Sequence, residues 1–349
     1  MALGTNHFAN TSSSIQEFIP ELWSDDVIAA YKANLVVGNL VSKINHVGKR
    51  GDTIHIPVPT RGSASAKTVG SQVTLIQDNS TEVQVVIDKW FEYSIMIEDI
   101  IAVQALPSLR RFHTDDAGYA LATRIDRDLH LLGAGLNSGS IAGATNLYET
   151  AVIGSDGSTA FSGASGGNGT AITDAGIRKA LQTLDDQDVP FQNRYFIIPP
   201  VAKNVLMGLS RFTEQAFVGE AGMGNTIRNG KLGDVYGVEI FVSSACPWVH
   251  CNSVTSTQSV TFSSTAPTGA SYTDEFGLTV DWNTSTPTDT KYRVALFLHK
   301  DAFVFAEQQS VRSQTQYKQE YLGNLFTADT IYGVKELRDN AGIAMVVPA

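Results

Sequence analysis

The chain has 349 residues, of which 43% are hydrophobic and 17% charged, and its formal net charge at pH 7 is −10. The length suggests about two folding units, and the hydrophobic content is sufficient for a core. The negative charge argues against a protein that grips nucleic acid through its phosphates, because such proteins carry clustered Lys and Arg. The low charged fraction indicates a surface that is rich in small polar residues or covered by neighbouring molecules.

Cysteine usage and hydropathy indicate where the protein is made. Two cysteines, Cys246 and Cys251, form no disulfide framework, which favours folding in a reducing cytoplasm. The N-terminus lacks the basic-then-apolar pattern of a signal peptide. No apolar run approaches the ~20 residues of a membrane helix. We therefore expect a cytosolic protein without a membrane anchor.

The N-terminal segment has no helical or strand period, yet it contains large apolar residues. Phe8, Phe18 and Trp23 are spread through residues 1–23. Such residues need a surface to bury against, so the segment is predicted to dock on another surface. A short helix is predicted to follow, with Ser24 as its N-cap.

Residues 50–98 read as a long hairpin arm. Thr53 to Val58 forms one limb, Glu82 to Ile97 the other, and a small polar stretch including Arg61 and Lys67 forms the tip. A limb of ~15 residues spans about 50 Å, whereas a compact unit of ~300 residues has a radius of gyration near 19 Å. The hairpin is therefore predicted to reach beyond its own body.

The longest helical pattern follows the hairpin. Apolar residues from Leu109 to Leu132 recur at spacings of three or four, and Gly133 and Gly135 end the pattern. The predicted helix covers about residues 107–133. At 1.5 Å per residue it is roughly 36 Å long, which is unusual for a globular domain.

Alternating helices and strands characterise the second half of the chain. Thr173 is predicted to cap a helix, Pro200 to open another, and residues 195–198 and 238–242 to form strands, which indicates a mixed α/β unit. Residues 252–290 differ, because 18 of these 39 residues are Ser or Thr. Their few apolar residues lie in strand-like runs, so this segment is predicted to be a polar β insertion.

The C-terminal segment is predicted to consist of short strands. Two strands are expected at 292–298 and 303–306. The run 330–337, the turn 339–342 and the run 343–347 together predict a closing hairpin.

No motif in the chain carries recognisable chemistry. Cys246, His250 and Cys251 lack the second ligand pair of a structural zinc site. The glycine-rich stretches 163–169 and 219–224 have neither phosphate-loop nor dinucleotide spacing. We therefore nominate no catalytic residue, cofactor or metal site, and we predict that the protein is not an enzyme.

The order of these features resembles that of tailed-phage major capsid proteins with the Hong Kong 97-like fold, an α+β fold. The runs 229–240 and 302–347 are also similar to phrases common in that family. A short-tailed phage lineage fits the chain. The resemblance implies the following parts: an N-arm at 1–49, an extended E-loop β-hairpin at 50–98, a P domain at 99–172 with its spine helix at about 107–133, an A domain at 173–300 with the insertion at about 252–290, and a return to the P domain at 301–349.

The resemblance also implies a function and partners. The chain would self-assemble into the pentamers and hexamers of an icosahedral shell around double-stranded DNA, with weak, non-specific DNA contact only. A portal protein, scaffolding proteins and cement proteins would be its partners, and it would reside in the virion after assembly in the host cytoplasm. The expected assembly contacts lie in the arm and the hairpin: Phe8, Phe18, Trp23, Arg61, Lys67 and Trp90.

Three alternatives stay open at this point. An encapsulin-like nanocompartment shell that holds enzyme cargo would share the fold. A secreted, polar, β-rich adhesin or tail component and a hydrolase without a recognisable motif belong to other classes. The absence of a signal pattern weighs against secretion.

Overall fold

The computed structural model describes most of the chain. It covers residues 36–48, 50–58, 62, 64–73, 75, 81–99, 108–137, 151–162, 167–209, 234–252, 259–264, 272–273, 279–280 and 291–349. The predicted N-terminal segment with Phe8, Phe18 and Trp23, the helix after Ser24, and Arg61 lie outside the described residues.

A single long helix is the main helical element of the first half. Helix α1 has only four residues, Val37–Leu40, whereas α2 has 24, Ser108–Leu131. A 3-10 turn, Leu132–Gly135, continues α2. The helix predicted at about 107–133 is therefore confirmed, and its chain passes through Gly133 and Gly135 as a tightened last turn.

Helix α2 packs against a four-stranded sheet. The strands are β1 (Ser42–Asn45), β14 (Phe303–Lys318), β15 (Gly323–Glu336) and β4 (Lys89–Glu98), in that order across the sheet. β1 runs parallel to β14, and the other neighbours are antiparallel. The contact with α2 is apolar and involves the following residues: Ala117, Leu121, Ala328, Phe91, Tyr93 and Phe326.

The predicted hairpin is present but shorter than the sequence suggested. Its limbs are β2 (Thr53–Val58) and β3 (Thr81–Val86), which pair in antiparallel register. The prediction that the hairpin extends to residue 98 is wrong, because residues 89–98 form strand β4 of the four-stranded sheet. The alternation in 89–98 predicted a strand correctly. It could not indicate the partner, since a period of two is the same in every sheet.

A second sheet carries the α/β unit. Strand β13 (Tyr292–His299) pairs with β16 (Gly342–Pro348) along one side, while β6 (Arg194–Ile198) and β9 (Trp248–Asn252) pair with it on the other. The sheet continues with the following described strands: β5 (Val152–Ile153), β7 (Asp234–Val235), β8 (Val238–Val242) and β10 (Ser259–Ser263). Within the insertion, β11 (Tyr272–Thr273) pairs with β12 (Thr279–Val280), so the described part of the insertion contains strands, as predicted.

Two helices cover this second sheet. Helix α3 spans Asp174–Asp186, and the Thr173 hydroxyl accepts a hydrogen bond from the Gly176 N–H, which confirms the predicted N-cap. Helix α4 spans Pro200–Met207 and begins with proline, as predicted. Buried residues of both helices, including Ile177, Leu184 and Leu206, pack against the sheet in one cluster.

The predicted closing hairpin is wrong. Strand β15 ends at Glu336 in the four-stranded sheet, whereas β16 crosses into the second sheet. The actual hairpin of this region is formed by β14 and β15, and β14 continues twelve residues beyond the predicted end at Ala306. The polar sequence of that extension gave no strand signal, and its pairing with β15 holds it extended.

A buried carboxylate joins α2 to the four-stranded sheet. The Tyr332 hydroxyl donates to Asp128 at 2.8 Å. Lys89 Nζ and Arg124 Nε lie 3.5 and 3.3 Å from the same carboxylate, whose side chain is 2% exposed. Burial raises the pKa of Tyr332, so its hydroxyl stays a donor at neutral pH. Because the Asp128 carboxylate links α2 to β15 and β4, it should contribute to the stability of the fold.

Asp128→Asn should lower the free energy of unfolding by about 1.5 to 3 kcal/mol, because Lys89 and Arg124 lose the negative charge that they face at a buried site, and one acceptor oxygen becomes an amide NH2 that can only donate. Urea denaturation followed by circular dichroism measures the effect. The control is Asp186→Asn, an exposed carboxylate on α3, which should change stability by less than about 0.5 kcal/mol. Equal effects of the two variants would contradict the structural role of Asp128.

Candidate assembly surface

The hairpin continues beyond its paired strands as an exposed extension, defined here as residues 64–73. All ten residues are exposed, and Val69 and Val73 are 102% and 62% exposed. The Lys67 ammonium donates to the Ser71 carbonyl, and the Ser71 N–H donates to the Thr68 carbonyl at 3.2 Å. The extension is therefore held in a turn by its own residues while its apolar side chains face solvent.

The distal end of the four-stranded sheet is a second exposed region. Strand β14 is buried from Phe303 to Ala306 but exposed from Ser310 to Tyr317. At the turn to β15, Tyr321 and Leu322 are 60% and 66% exposed. The β14–β15 hairpin thus begins in the core and ends in solvent.

Trp90 is an exposed aromatic residue that is fixed in place. Its side chain lies on β4 and is 70% exposed, yet its indole N–H donates to Asp329 at 3.3 Å. Asp329 also accepts from Gln309 at 2.9 Å and from Arg312 at 3.0 and 3.1 Å. An exposed tryptophan whose indole N–H is already hydrogen-bonded is well suited to anchor a protein interface.

Large exposed apolar side chains are concentrated on these projecting elements. Among the described residues, only Phe191, Val201 and Tyr236 of this kind lie on the α/β unit. The others lie on the hairpin, on or just after its extension, just after β1, or on the four-stranded sheet and its β14–β15 turn. They are Val47, Val58, Val69, Val73, Leu75, Val86, Trp90, Met96, Val311, Tyr317, Tyr321 and Leu322. This distribution favours the projecting elements over the α/β unit as the place of a protein contact.

The buried ionisable groups have structural roles. His130 Nδ1 donates to the Asp126 carbonyl at 2.8 Å, and the Asp126 carboxylate accepts the Gly38 N–H at 3.1 Å. Burial lowers the pKa of His130, which keeps the ring neutral. Burial also raises the pKa of the Cys246 thiol to about 12, so this thiol is unreactive at neutral pH. The hydrogen bond from the Gly38 N–H to the Asp126 carboxylate joins α1 to α2.

The described residues contain no group of three or more His, Cys, Asp or Glu side chains that could hold a metal ion. The side chains of His250 and Cys251 lie outside the described part. No helix in the described ranges has the length and apolar character needed to cross a membrane.

Comparison with known proteins identifies the family. A family model for phage capsid proteins matches residues 80–306, which is about two thirds of the chain. The chain belongs to the phage capsid protein family. This family membership confirms the resemblance to tailed-phage capsid proteins and does not favour the encapsulin alternative. No curated protein matches the chain.

Solved capsid structures share the fold of this phage capsid protein. The chain matches a structure of Mycobacterium phage Che8 with a TM-score of 0.64 and 20% identity, covering 94% of this chain and 97% of that one. It matches the capsid of cyanophage P-SCSP1u with a TM-score of 0.68 and 19% identity, covering 97% and 96%. For the mature capsid of bacteriophage PhiM1 the TM-score is 0.65 and the identity 14%, covering 99% and 96%. The predicted α+β capsid fold is thereby confirmed.

The Asp329 cluster makes stability depend on pH. Hydrogen bonds from Arg312 above all, with further ones from Gln309 and Trp90, hold the pKa of Asp329 below its ordinary value of 3.8. A carboxylate with a lowered folded-state pKa stabilises the fold fully above its unfolded-state pKa. That contribution is lost as the pH falls through the folded-state pKa.

Asp329→Asn should therefore lower the free energy of unfolding at pH 7 by about 1 to 2 kcal/mol, a value reduced by the half-exposed position of Arg312. The gap from wild type should narrow as the pH falls below 3.8. Urea denaturation at stepped pH values measures it. Glu92→Gln, the exposed cross-strand neighbour, is the control and should show no such convergence. A gap that is constant with pH would contradict the assignment.

Proposed function

We propose that this chain is the major capsid protein of a tailed bacteriophage and assembles into the pentamers and hexamers of an icosahedral shell around double-stranded DNA. Its role is structural rather than catalytic. Membership of the phage capsid protein family carries the proposal. The exposed extension at 64–73 and the exposed end of the four-stranded sheet support it, because one copy alone leaves these apolar surfaces in water.

The proposal assigns a part of the shell subunit to each region. Residues 1–49 would be the N-arm, which would add β1 to the edge of the four-stranded sheet, and the hairpin with its extension would be the E-loop, ending near residue 86. Helix α2 and the four-stranded sheet, including β4, would form the P domain. The α/β unit with the insertion at 252–290 would form the A domain. The division of the strands between two sheets supports this assignment.

Six residues are proposed as assembly contacts. Lys67 and Trp90 are both exposed, which is compatible with that role. Trp90 is the stronger candidate, because its orientation is fixed before any partner arrives. The remaining four lie outside the described residues: Phe8, Phe18, Trp23 and Arg61.

The proposed partners follow from the shell. The main partner is a second copy of the chain, and a portal protein, scaffolding proteins and cement proteins would act during assembly in the host cytoplasm. Packaged DNA would touch the shell only weakly and without sequence preference. The net charge of −10 supports this, since strong phosphate contacts would hinder packaging and release.

Deleting residues 64–71 should abolish particle formation and leave the body folded, because none of these residues is buried in its own chain. Light scattering measures assembly, and thermal melting measures folding. The melting temperature should change by less than about 3 °C.

A length-matched Gly-Ser replacement of the same residues separates reach from side-chain contact. It should assemble no better than the deletion if the side chains matter. A deletion variant that assembles normally would contradict the proposal, and one that loses cooperative melting would show that the extension belongs to the fold's own core.

A further inference from the structure

Hydrogen bonds hold the base of the hairpin at its entry and at its exit. At the exit, the Ile87 N–H donates to the Asp52 carbonyl at 2.7 Å, which closes the hairpin across its base. At the entry, the Gln308 side-chain amide donates to the Gly51 carbonyl at 2.9 Å. The hairpin is therefore fixed to β14 where it enters and closed on itself where it leaves.

The base of the hairpin packs in a buried apolar cluster. Val85 is fully buried, and Ile87 is 7% exposed. They pack against Val304 and Ala306 of β14 and against Ile331 of β15. The hairpin base thus covers the sheet as a packed layer, and its direction is set by how closely it can approach the strands beneath.

The closest approach is at Gly333. A Cβ atom at this position would lie 2.3 Å from the Val86 carbonyl oxygen and 3.1 Å from the Ile87 Cα. Ordinary contact begins near 3.4 Å, and the obstructing atoms belong to the backbone, so no side-chain rotation can relieve the overlap. Gly333 does not have a positive φ, so its backbone conformation does not require glycine. The close approach of the Val86 carbonyl oxygen is therefore the reason that no side chain fits at residue 333.

Open space beside β3 and Gly333 would allow the hairpin to move. A cleft of about 470 Å³ lies between the hairpin limb and the body. It is lined by residues of β3, the β3–β4 turn, β4, α2 with its 3-10 turn, β10 and β15, among them the following: Gln84, Val86, Lys89, Asp128, Val334 and Lys335. A limb that is pushed off Gly333 can therefore shift without unfolding the sheet.

We propose that Gly333 is a positioning residue for shell assembly: it sets the direction in which the hairpin leaves the body. This inference rests on the proposed function. A methyl group at 333 must displace β3 by about 1 Å, since 2.3 Å would have to become at least 3.4 Å. Because the displacement tilts the hairpin about its base, it grows along the six residues of β3, which span about 20 Å, and exceeds 1 Å at their far end. Such an error exceeds what a complementary interface tolerates.

The test compares Gly333→Ala with wild type in the full-length chain. Hydrogen exchange of the amides at 81–87 should become faster, while exchange at 292–299 in the second sheet stays unchanged. The melting temperature should fall by about 5 °C or less. At an equal concentration of folded subunit, the assembled fraction should fall about tenfold or more.

Gly323→Ala is the matched control on the same strand. A Cβ there would lie 2.8 Å from the Ile97 carbonyl oxygen, so it overpacks β15 against β4 and not against the hairpin. It should lower the melting temperature by a similar amount and leave exchange at 81–87 unchanged. A purely structural role of Gly333 would leave the assembled fraction of folded Gly333→Ala subunits at the wild-type level.

Val85→Ala provides a second route should Gly333→Ala not fold. It removes a buried anchor of the hairpin and should also raise exchange at 81–87 and reduce assembly. The inference is overturned if either folded variant shows wild-type exchange at 81–87, or assembles into particles of wild-type yield and diameter. Failure of the wild-type chain to assemble would overturn the proposed function, whereas the exchange measurement would still test the hairpin's position in the free subunit.

Discussion

Two neighbouring residues of β15, Tyr332 and Gly333, hold the structure together on opposite faces of one sheet. Successive residues of a strand point to opposite faces. Tyr332 is buried towards α2, where its hydroxyl donates to Asp128. Gly333 faces the hairpin and lets β3 lie directly on the strand. β15 also carries β14 and β4 on its two edges, so the helix, the sheet and the hairpin all depend on this strand.

A single copy of the chain thus combines a packed body with apolar surfaces that remain exposed. The base of the hairpin and the first part of β14 are buried, while the extension and the far end of the sheet are exposed. Trp90 and its contact with Asp329 show that even the exposed part is held in a defined orientation. Preorganised surfaces lose little conformational entropy on association. A shell built from many copies benefits from this at each contact.

The sequence predicted local elements well where hydrophobic periodicity determines them. The bounds of α2 and β8 follow from the spacing of apolar residues along each element. The N-cap at Thr173 follows from the polar residue that stands just before a helical pattern. Pairing over long distances was not predictable. Strand β4 carries a regular alternation that fits any sheet, and the outer half of β14 shows no alternation of burial because its residues from 310 to 317 are all exposed. Of the candidate site, the exposure of Lys67 and Trp90 could be expected, but their contacts depend on a second copy, about which one sequence holds no direct information.

We conclude that the chain completes its exposed surfaces by forming a shell with copies of itself. Electron microscopy of particles assembled from the purified chain, at a resolution that traces the backbone, tests it most directly. We expect closed icosahedral particles in which residues 64–73 of each copy lie against a neighbouring copy. A chain that remains monomeric in every assembly condition, or particles in which this extension contacts only its own chain, would show that the extension is not an assembly contact.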